Sequence, residues 1–371
     1  MENLQDWLTL YLTHGIGSVW CRRLVDHFHA PAAVLAAGLD QLLKVPGLTR
    51  AAANALVTTP AREAAAKEIA IAQKRGVTII AWDDPLYPPL LKHIYNPPVL
   101  LYVKGNLQSL AAENLAIVGA RAATTYGKNS AQTFAGQMAK FGVGIVSGMA
   151  LGVDTAAHNG ALAAGGTTIA VLGCGLDIIY PPQNKKLFAA IPAMGALVTE
   201  YPFATQPDPF RFPARNRIIS GLSLGVLVVE AAKNSGSLIT ARLALEQGRE
   251  VFAVPGRVDS NKSEGTHQLL KEGAKLVHTV SDILEELRLT SSGTVTAASV
   301  DSACRKQVTT PPACTAEEAA LLDYLEVYPK TIDEIIRETK LPAAKVSELL
   351  LLLELKGAVQ ALPGQLFKKM C

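Results

Sequence analysis

Between Val77 and about Arg288 the chain repeats one pattern: a short, unbroken apolar run, a small-residue break, then a segment of helical length. The runs are LAIVGA, GIVSG, TIAVLGCG, ALVTEY, GVLVVEA, VFAVPG and AKLVHT. Continuous rather than alternating hydrophobicity marks strands buried on both faces, and helical segments between them mark parallel pairing with helices on either side. The fold class expected is α/β, an extended Rossmann-like doubly wound parallel sheet over residues 77–288.

The pattern changes on both flanks. LTLYLTHGIGSVWCRRLVDHF and LDQLLKVPGLTRAAANAL each read as an apolar helix, a tight glycine turn and a second helix. This predicts a helix-hairpin-helix, SAM-like helical domain over 1–76, whose turn amides either meet phosphates or serve only packing and partner contacts. Residues 289–314, rich in Ser, Thr and Ala and without periodicity, read as a linker. From 315 to 371 three helical segments precede AVQALPGQLFKKM, a hairpin turning at Pro-Gly, which is the layout of a winged-helix domain. Its third helix carries Lys345, Glu348, Glu354 and Lys356 around a leucine run, a poor match for a major groove. A packing or protein-contact role is expected for it.

Composition narrows the function classes. The chain has 371 residues, 49% of them hydrophobic and 18% charged, with a net charge of +3. That balance suits a globular protein and excludes a polybasic tail, so an anion site must arise by local clustering. Five scattered cysteines without CxxC or histidine spacing give no expectation of a disulfide or of zinc. With no signal-like N-terminus and no apolar run of membrane-spanning length, a cytoplasmic protein without membrane contact is expected.

In open α/β sheets ligands sit outside the carboxyl ends of the strands. The segments there, GARAATTYG, SGMALGVDTAAH, GCGLDIIYPPQN, FRFPARNR and EAAKNSGSLITAR, are small, polar or cationic. They suit phosphate: small residues admit close approach, hydroxyls and helix N-termini donate, and Arg121, Arg215 and Arg217 neutralise. Phe212 offers a face for a base, the usual device beside a cationic groove that holds single strands. The competing reading has the two phenylalanines plugging the domain edge while the arginines pair with Glu200, Asp208 or Glu230.

Other chemistries fit less well. Gly119-Ala120-Arg121 departs from GxGxxG, and no Walker motif occurs, so neither a dinucleotide nor ATP hydrolysis is expected, and no cofactor. Asp154 and His158 read as a helix cap and a nearby bonded side chain rather than a metal site, and Cys174 as a small thiol filling a turn. Asp177 and Glu230 are expected to hold arginines or loop amides in place.

Taken in order, AIVGARAATTYG, SGMALGVDTAAHNGAL, VLGCGLDIIYPPQN, the long block FPARNRIISGLSLGVLVVEAAKNSGSLITARLALEQGREVFAVPG and SEGTHQLLKEGA resemble the successive signature blocks of the DNA processing protein A (DprA/Smf) family. The resemblance covers nearly the whole central domain; His267 departs from it, standing where that pattern has asparagine. It implies a non-catalytic single-stranded DNA-binding recombination mediator that protects incoming DNA in natural transformation and helps load RecA recombinase. The DNA-contacting positions it implies are Arg121, Phe212, Arg215, Asn216 and Arg217, with the Ser235-Gly236-Ser237 turn. A homodimer is expected, with AKLVHTVSDILEEL as a candidate apolar edge. The alternative is a nucleoside-monophosphate phosphoribohydrolase-like enzyme on a related fold, using Arg121, the NSGSLITA turn and Glu246; Ile239 and Ala241 stand where such a loop needs glycine and an acid.

Overall fold

The computed structural model describes residues 2–289, 315–325, 329–362 and 364–369. They fall into two compact units, Met1–Ser292 and Gly293–Cys371. The expected linker lies, except for Leu289, outside the described residues.

The first unit opens with helices α1 (Glu2–Leu12), α2 (Ser18–Phe28), α3 (Pro31–Ala36), α4 (Leu39–Leu42), α5 (Arg50–Thr58) and α6 (Arg62–Arg75). Then follow β1 (Thr78–Ala81), α7 (Pro89–Lys92), β2 (Leu100–Gly105) and β3 (Asn114–Val118). From β3 onward strands and helices alternate: α8 (Thr125–Lys140), β4 (Gly144–Ser147), α9 (Val153–Ala163), β5 (Thr168–Val171), α10 (Lys185–Met194) and β6 (Ala196–Thr199). The series ends with α11 (Arg211–Gly221), β7 (Gly225–Val228), α12 (Gly236–Glu246), β8 (Glu250–Ala253), α13 (Glu264–Lys271), β9 (Lys275–Leu276) and α14 (Val280–Leu287).

The nine strands form one sheet in the order β1-β2-β6-β5-β4-β3-β7-β8-β9. From β6 to β9 every pairing is parallel, with Ala116 opposite Val146 on one side and Val226 on the other. Strands β3, β4, β5, β6 and β7 are buried at every position, as their unbroken hydrophobicity requires. All seven apolar runs are strands. The sheet also carries an antiparallel edge, β1 on β2 and β2 on β6, that the run of β–α units did not announce.

Both expected helical hairpins are present, yet residues 1–76 are not a separate body. Trp7, Leu8, Leu10, Leu24 and Leu56 share one buried cluster with Leu100, Tyr102, Leu172 and Leu197 of the sheet domain. Polar ties cross the same boundary: Trp7 Nε1 donates to Asp83 at 2.8 Å, and Glu68 Oε1 accepts from the Phe203 amide at 2.7 Å. The helices are an integral layer over the sheet. Among the described residues, no helix is long and apolar enough to cross a membrane.

In the second unit, α15 (Ala316–Tyr324), α16 (Ile332–Thr339) and α17 (Ala343–Leu355) accompany a small sheet of β10 (Lys330–Thr331), β11 (Val359–Leu362) and β12 (Leu366–Lys369) in the order β10-β12-β11. This is the winged-helix layout. Thr315 and Glu318 close a capping box at the start of α15, and Leu321, Ile335, Val346, Leu349, Leu353 and Val359 form the core. Pro363, at the expected turn, lies outside the described residues.

Candidate nucleic-acid interface

Strand order reverses at β3: the chain leaves it toward β4 on one side and returns to β7 on the other. Such a switch point opens a crevice beyond the strand ends. Here it is a cavity of about 420 Å³ lined by Gly119, Arg121, Asp154, Tyr180, Phe212, Arg215, Asn216, Ser235, Gly236, Ser237, Ile239 and Thr240. A smaller recess of about 100 Å³ adjoins it, walled by Leu151, Leu172, Cys174, Tyr180 and Phe212, with Arg121 and Arg215 on both.

Helix α11 supplies one wall. Phe212, Arg215, Asn216 and Ile219 stand three, four and seven positions apart, so they share the face turned to the cavity. Phe212 stacks on Tyr180, with ring centroids 5.5 Å apart and planes at 22°, and the Arg121 guanidinium lies 5.4 Å from the Phe212 centroid. Arg121 and Tyr180 are solvent-exposed, which leaves a cationic and aromatic rim. Phe210, by contrast, is 88% exposed and lines neither cavity; it is no core plug.

Arg215 is buried, only 5% exposed. Its Nη1 donates to the Gly148 carbonyl at 2.8 Å and to Val171, and its Nε to Asn216 Oδ1 at 3.2 Å. Asp154 lies on the same network, its carboxylate accepting from the amides of Gly148 (3.1 Å) and Ala150 (3.3 Å). Burial pushes the Asp154 carboxyl up to about 6, against the pull of Arg215. Burial also brings the Arg215 guanidinium down to about 10. Asp154 therefore shapes the loop after β4 instead of capping α9, whose N-cap is Gly152.

The opposite wall is the N-terminus of α12. Ser235 is its N-cap and accepts from the Ser237 amide at 3.4 Å, while Asn216 Nδ2 reaches the Gly236 carbonyl at 3.4 Å. An 11-residue helix thus begins at the cavity and turns the positive end of its dipole toward it.

Seven of the eight expected positions, Arg121, Phe212, Arg215, Asn216, Ser235, Gly236 and Ser237, meet in this cavity. Arg217, expected to meet phosphate with them, does not line it. Two positions beyond Arg215 on a helix, it points the other way and forms a bidentate pair with Glu200, both N–O distances 2.6 Å, while its Nε donates to the Asn96 carbonyl at 2.9 Å. Burial alone would lower its pKa, but the bonds and charge of Glu200 raise it overall. Neither Asp208 nor Glu230 is in an ion pair with α11: Asp208 accepts from the Phe210 amide, and Glu230 from Thr124. Asp177 likewise holds a loop amide, that of Ala204. Cys174 is buried with its thiol pushed up to about 11 by burial, an inert filler. Tyr180 was missed in the sequence; its place in IIYPPQN, within the long loop that follows β5, was the available signal.

Glu246, the acid of the hydrolase alternative, is exposed at the far end of α12 and does not line the cavity; Ile239 does. His267, the departure from the family blocks, bonds through Nε2 to the Gly256 carbonyl at 3.0 Å.

Fold and cavity together define a Rossmann-like protein whose switch-point crevice is lined by arginines, a helix N-terminus and a stacked aromatic pair. Residues 78–288 match the family of DNA recombination-mediator protein A, and residues 305–365 match the DprA winged helix domain. The chain belongs to the DNA recombination-mediator protein A family. It is 41% identical over 327 residues to Protein Smf of Escherichia coli, covering 87% of this chain and 85% of that protein. It is 49% identical over 203 residues to DNA processing protein DprA of Streptococcus pneumoniae, covering 55% of this chain and 72% of that one. Among solved structures, that of the Streptococcus pneumoniae protein superposes with a TM-score of 0.68 at 37% identity, over 76% of this chain and 97% of that one. The Helicobacter pylori DNA processing protein A, presented for its unique single-stranded DNA binding mode, gives 0.52 at 34% identity, over 57% and 95%.

Proposed function

We propose that the crevice binds single-stranded DNA, with little sequence preference and without catalysis, and that the protein is a cytoplasmic recombination mediator which protects incoming DNA in natural transformation and helps load RecA onto it. The observation that carries the reading is the convergence of Arg121, Arg215, Asn216 and the N-terminal end of α12 on one cavity that the Phe212–Tyr180 stack also lines. Phosphate goes to the cations and amides, and an unpaired base to the ring. A crevice of about 420 Å³ suits a nucleotide, whereas the bases of a duplex are stacked and paired out of reach. The relative at 34% identity with a single-stranded DNA binding mode supports this ligand. The RecA assignment rests on the family resemblance, and the homodimer on the apolar edge AKLVHTVSDILEEL. Fluorescence anisotropy with single-stranded and duplex oligonucleotides tests the ligand: preference for the single strand, unaffected by a chelator, is expected, and equal affinity for both would overturn it. Incubation with nucleoside monophosphates, watching for free base, tests the hydrolase alternative; none is expected.

A further inference from the structure

Glu230 is a carboxylate at the root of a crevice proposed to take a polyanion, an arrangement that weakens anion binding unless the charge does something else. It lies two positions beyond the end of β7, is 5% exposed, and bonds to both ends of the loop Gly119–Thr124 that carries Arg121. Its backbone carbonyl accepts from the Ala120 amide at 2.8 Å, at the start of that loop. Its carboxylate accepts from the Thr124 amide at 2.9 Å and from the Thr124 hydroxyl, at the end. The same hydroxyl caps α8 by accepting from the Gly127 amide at 3.0 Å. One residue therefore clamps both ends of the loop.

The neighbouring glycines make room for this clamp. A Cβ on Gly127 would stand 2.4 Å from Glu230 Cδ, and one on Gly119 would stand 2.6 Å from Val153 Cγ2 and 2.9 Å from the Glu230 carbonyl oxygen. Two glycines of GARAATTYG thus admit Glu230, which gives that spacing a local physical reason. The loop's middle is held from outside as well, since Lys262 Nζ donates to the Ala122 carbonyl at 2.6 Å. With its backbone fixed at three points, the loop is preorganised, and only the Arg121 side chain remains to be ordered when ligand arrives.

We infer that Glu230 is a positioning residue for nucleic-acid binding: it fixes the backbone of the Arg121 loop so that the guanidinium is presented beside Phe212. The inference rests on the single-strand reading of the crevice. Its test is a double-mutant cycle on single-stranded oligonucleotide binding, with thermal stability measured on every variant. Arg121→Ala is expected to weaken binding about tenfold and to reduce the slope of log K against log salt by about 0.7. Glu230→Ala should reproduce both changes, although it removes a negative charge, and the double variant should be within about twofold of either single one. Glu230→Gln, whose amide oxygen still accepts from Thr124, should recover part of the loss. If Glu230→Ala does not fold, Thr124→Ser, which keeps the hydroxyl, and Thr124→Val, which removes the hydroxyl side of the clamp together with the cap of α8, take its place: Thr124→Val is expected to weaken binding as Glu230→Ala would, and Thr124→Ser to bind as wild type. Wild-type or tighter binding by folded Glu230→Ala or Thr124→Val, while Arg121→Ala is weak, overturns the inference, as do losses that multiply in the double variant. If Arg121→Ala itself binds normally, the single-strand reading of the crevice fails instead.

Discussion

At the scale of single residues, α11 sorts its side chains by angle. Phe212, Arg215 and Asn216 face the crevice, while Arg217, on the far side, is held by Glu200 in a buried bidentate pair. The two groups should respond differently to truncation. Phe212→Ala should lower single-strand affinity by about 1–3 kcal/mol without changing the salt slope, because a stacking face is lost and no charge. Arg217→Ala should instead cost about 3–5 kcal/mol of folding stability, since it strands the buried Glu200 carboxylate, while the folded fraction binds with the wild-type salt slope. Chemical denaturation and salt-dependent anisotropy on both variants separate the effects; a slope reduced by Arg217→Ala in stable protein would return Arg217 to the phosphate set. Helical periodicity over FRFPARNR sets 217 apart from 212, 215 and 216, whereas the segment read as a loop after a strand end grouped all four. The Arg217–Glu200 pair was only one alternative, because a partner 17 positions away across a loop is fixed by tertiary packing.

His158 gives a second residue-level test. Its Nδ1 bonds to Thr168 Oγ1 at 2.7 Å, and that hydroxyl already donates to the Ile145 carbonyl at 2.8 Å, so Nδ1 carries the proton. Burial, with Arg215 adding to it, pushes the imidazole down to about 3 from its ordinary 6.5. Between those values the unfolded chain takes up a proton that the folded protein refuses, so this contribution to stability is complete above pH 6.5 and is lost as pH falls. Asp154, raised to about 6, acts in the opposite sense between about 6 and 3.8 and offsets the trend in the wild type. The comparison with His158→Leu isolates the histidine: the stability of wild type minus variant should fall by up to about 1.4 kcal/mol for each pH unit below 6.5. Denaturation midpoints at several pH values measure it, and a difference that stays flat would mean that His158 is protonated in the fold.

At the scale of elements, the parallel strands β3 to β8 were legible because burial on both faces forces unbroken apolar runs, while the two-residue edge strand β9 is only partly covered. Strands β1 and β2 were not legible, because they pair antiparallel at the sheet's edge outside the β–α alternation that guided the reading. The amide end of α12 was visible as small residues after a strand, whereas Tyr180 depends on how the loop after β5 folds back. Helix α17 bears out its acidic and leucine-rich sequence: Leu351 and Leu355 are exposed, Lys345 pairs with Glu317 and Glu348, and Lys356 with Glu318. Few cations on that helix remain for phosphate. Removing residues 315–371 should therefore leave single-strand affinity within a few-fold of wild type, and a loss of an order of magnitude would make the winged helix a DNA-binding arm.

At the scale of the whole molecule, a crevice built from loops after β3, β4 and β7 stays in shape only if the sheet beneath it does, and one face of that sheet is closed by the N-terminal helices. Trp7, Leu8, Leu10, Leu24 and Leu56 are all buried at 2% exposure or less in the cluster that covers Leu100, Tyr102, Leu172 and Leu197. Losing one buried leucine to alanine costs about 2–5 kcal/mol, so removing this layer exceeds the whole stability of a typical domain, about 5–15 kcal/mol. A chain beginning at residue 77 should accordingly fail to give a cooperative thermal transition, and should bind an apolar dye through the uncovered sheet face. The sequence reading treated residues 1–76 as a domain of their own, because glycine turns and helical periodicity are local, while the matching apolar surface is spread over β2, β5 and β6. Circular dichroism melts of residues 77–289 against 1–289 decide between the two. Equal melting temperatures would make the helical layer a separable module; loss of the transition, with single-strand binding lost alongside it, would show that the layer holds the crevice in shape through the sheet it covers.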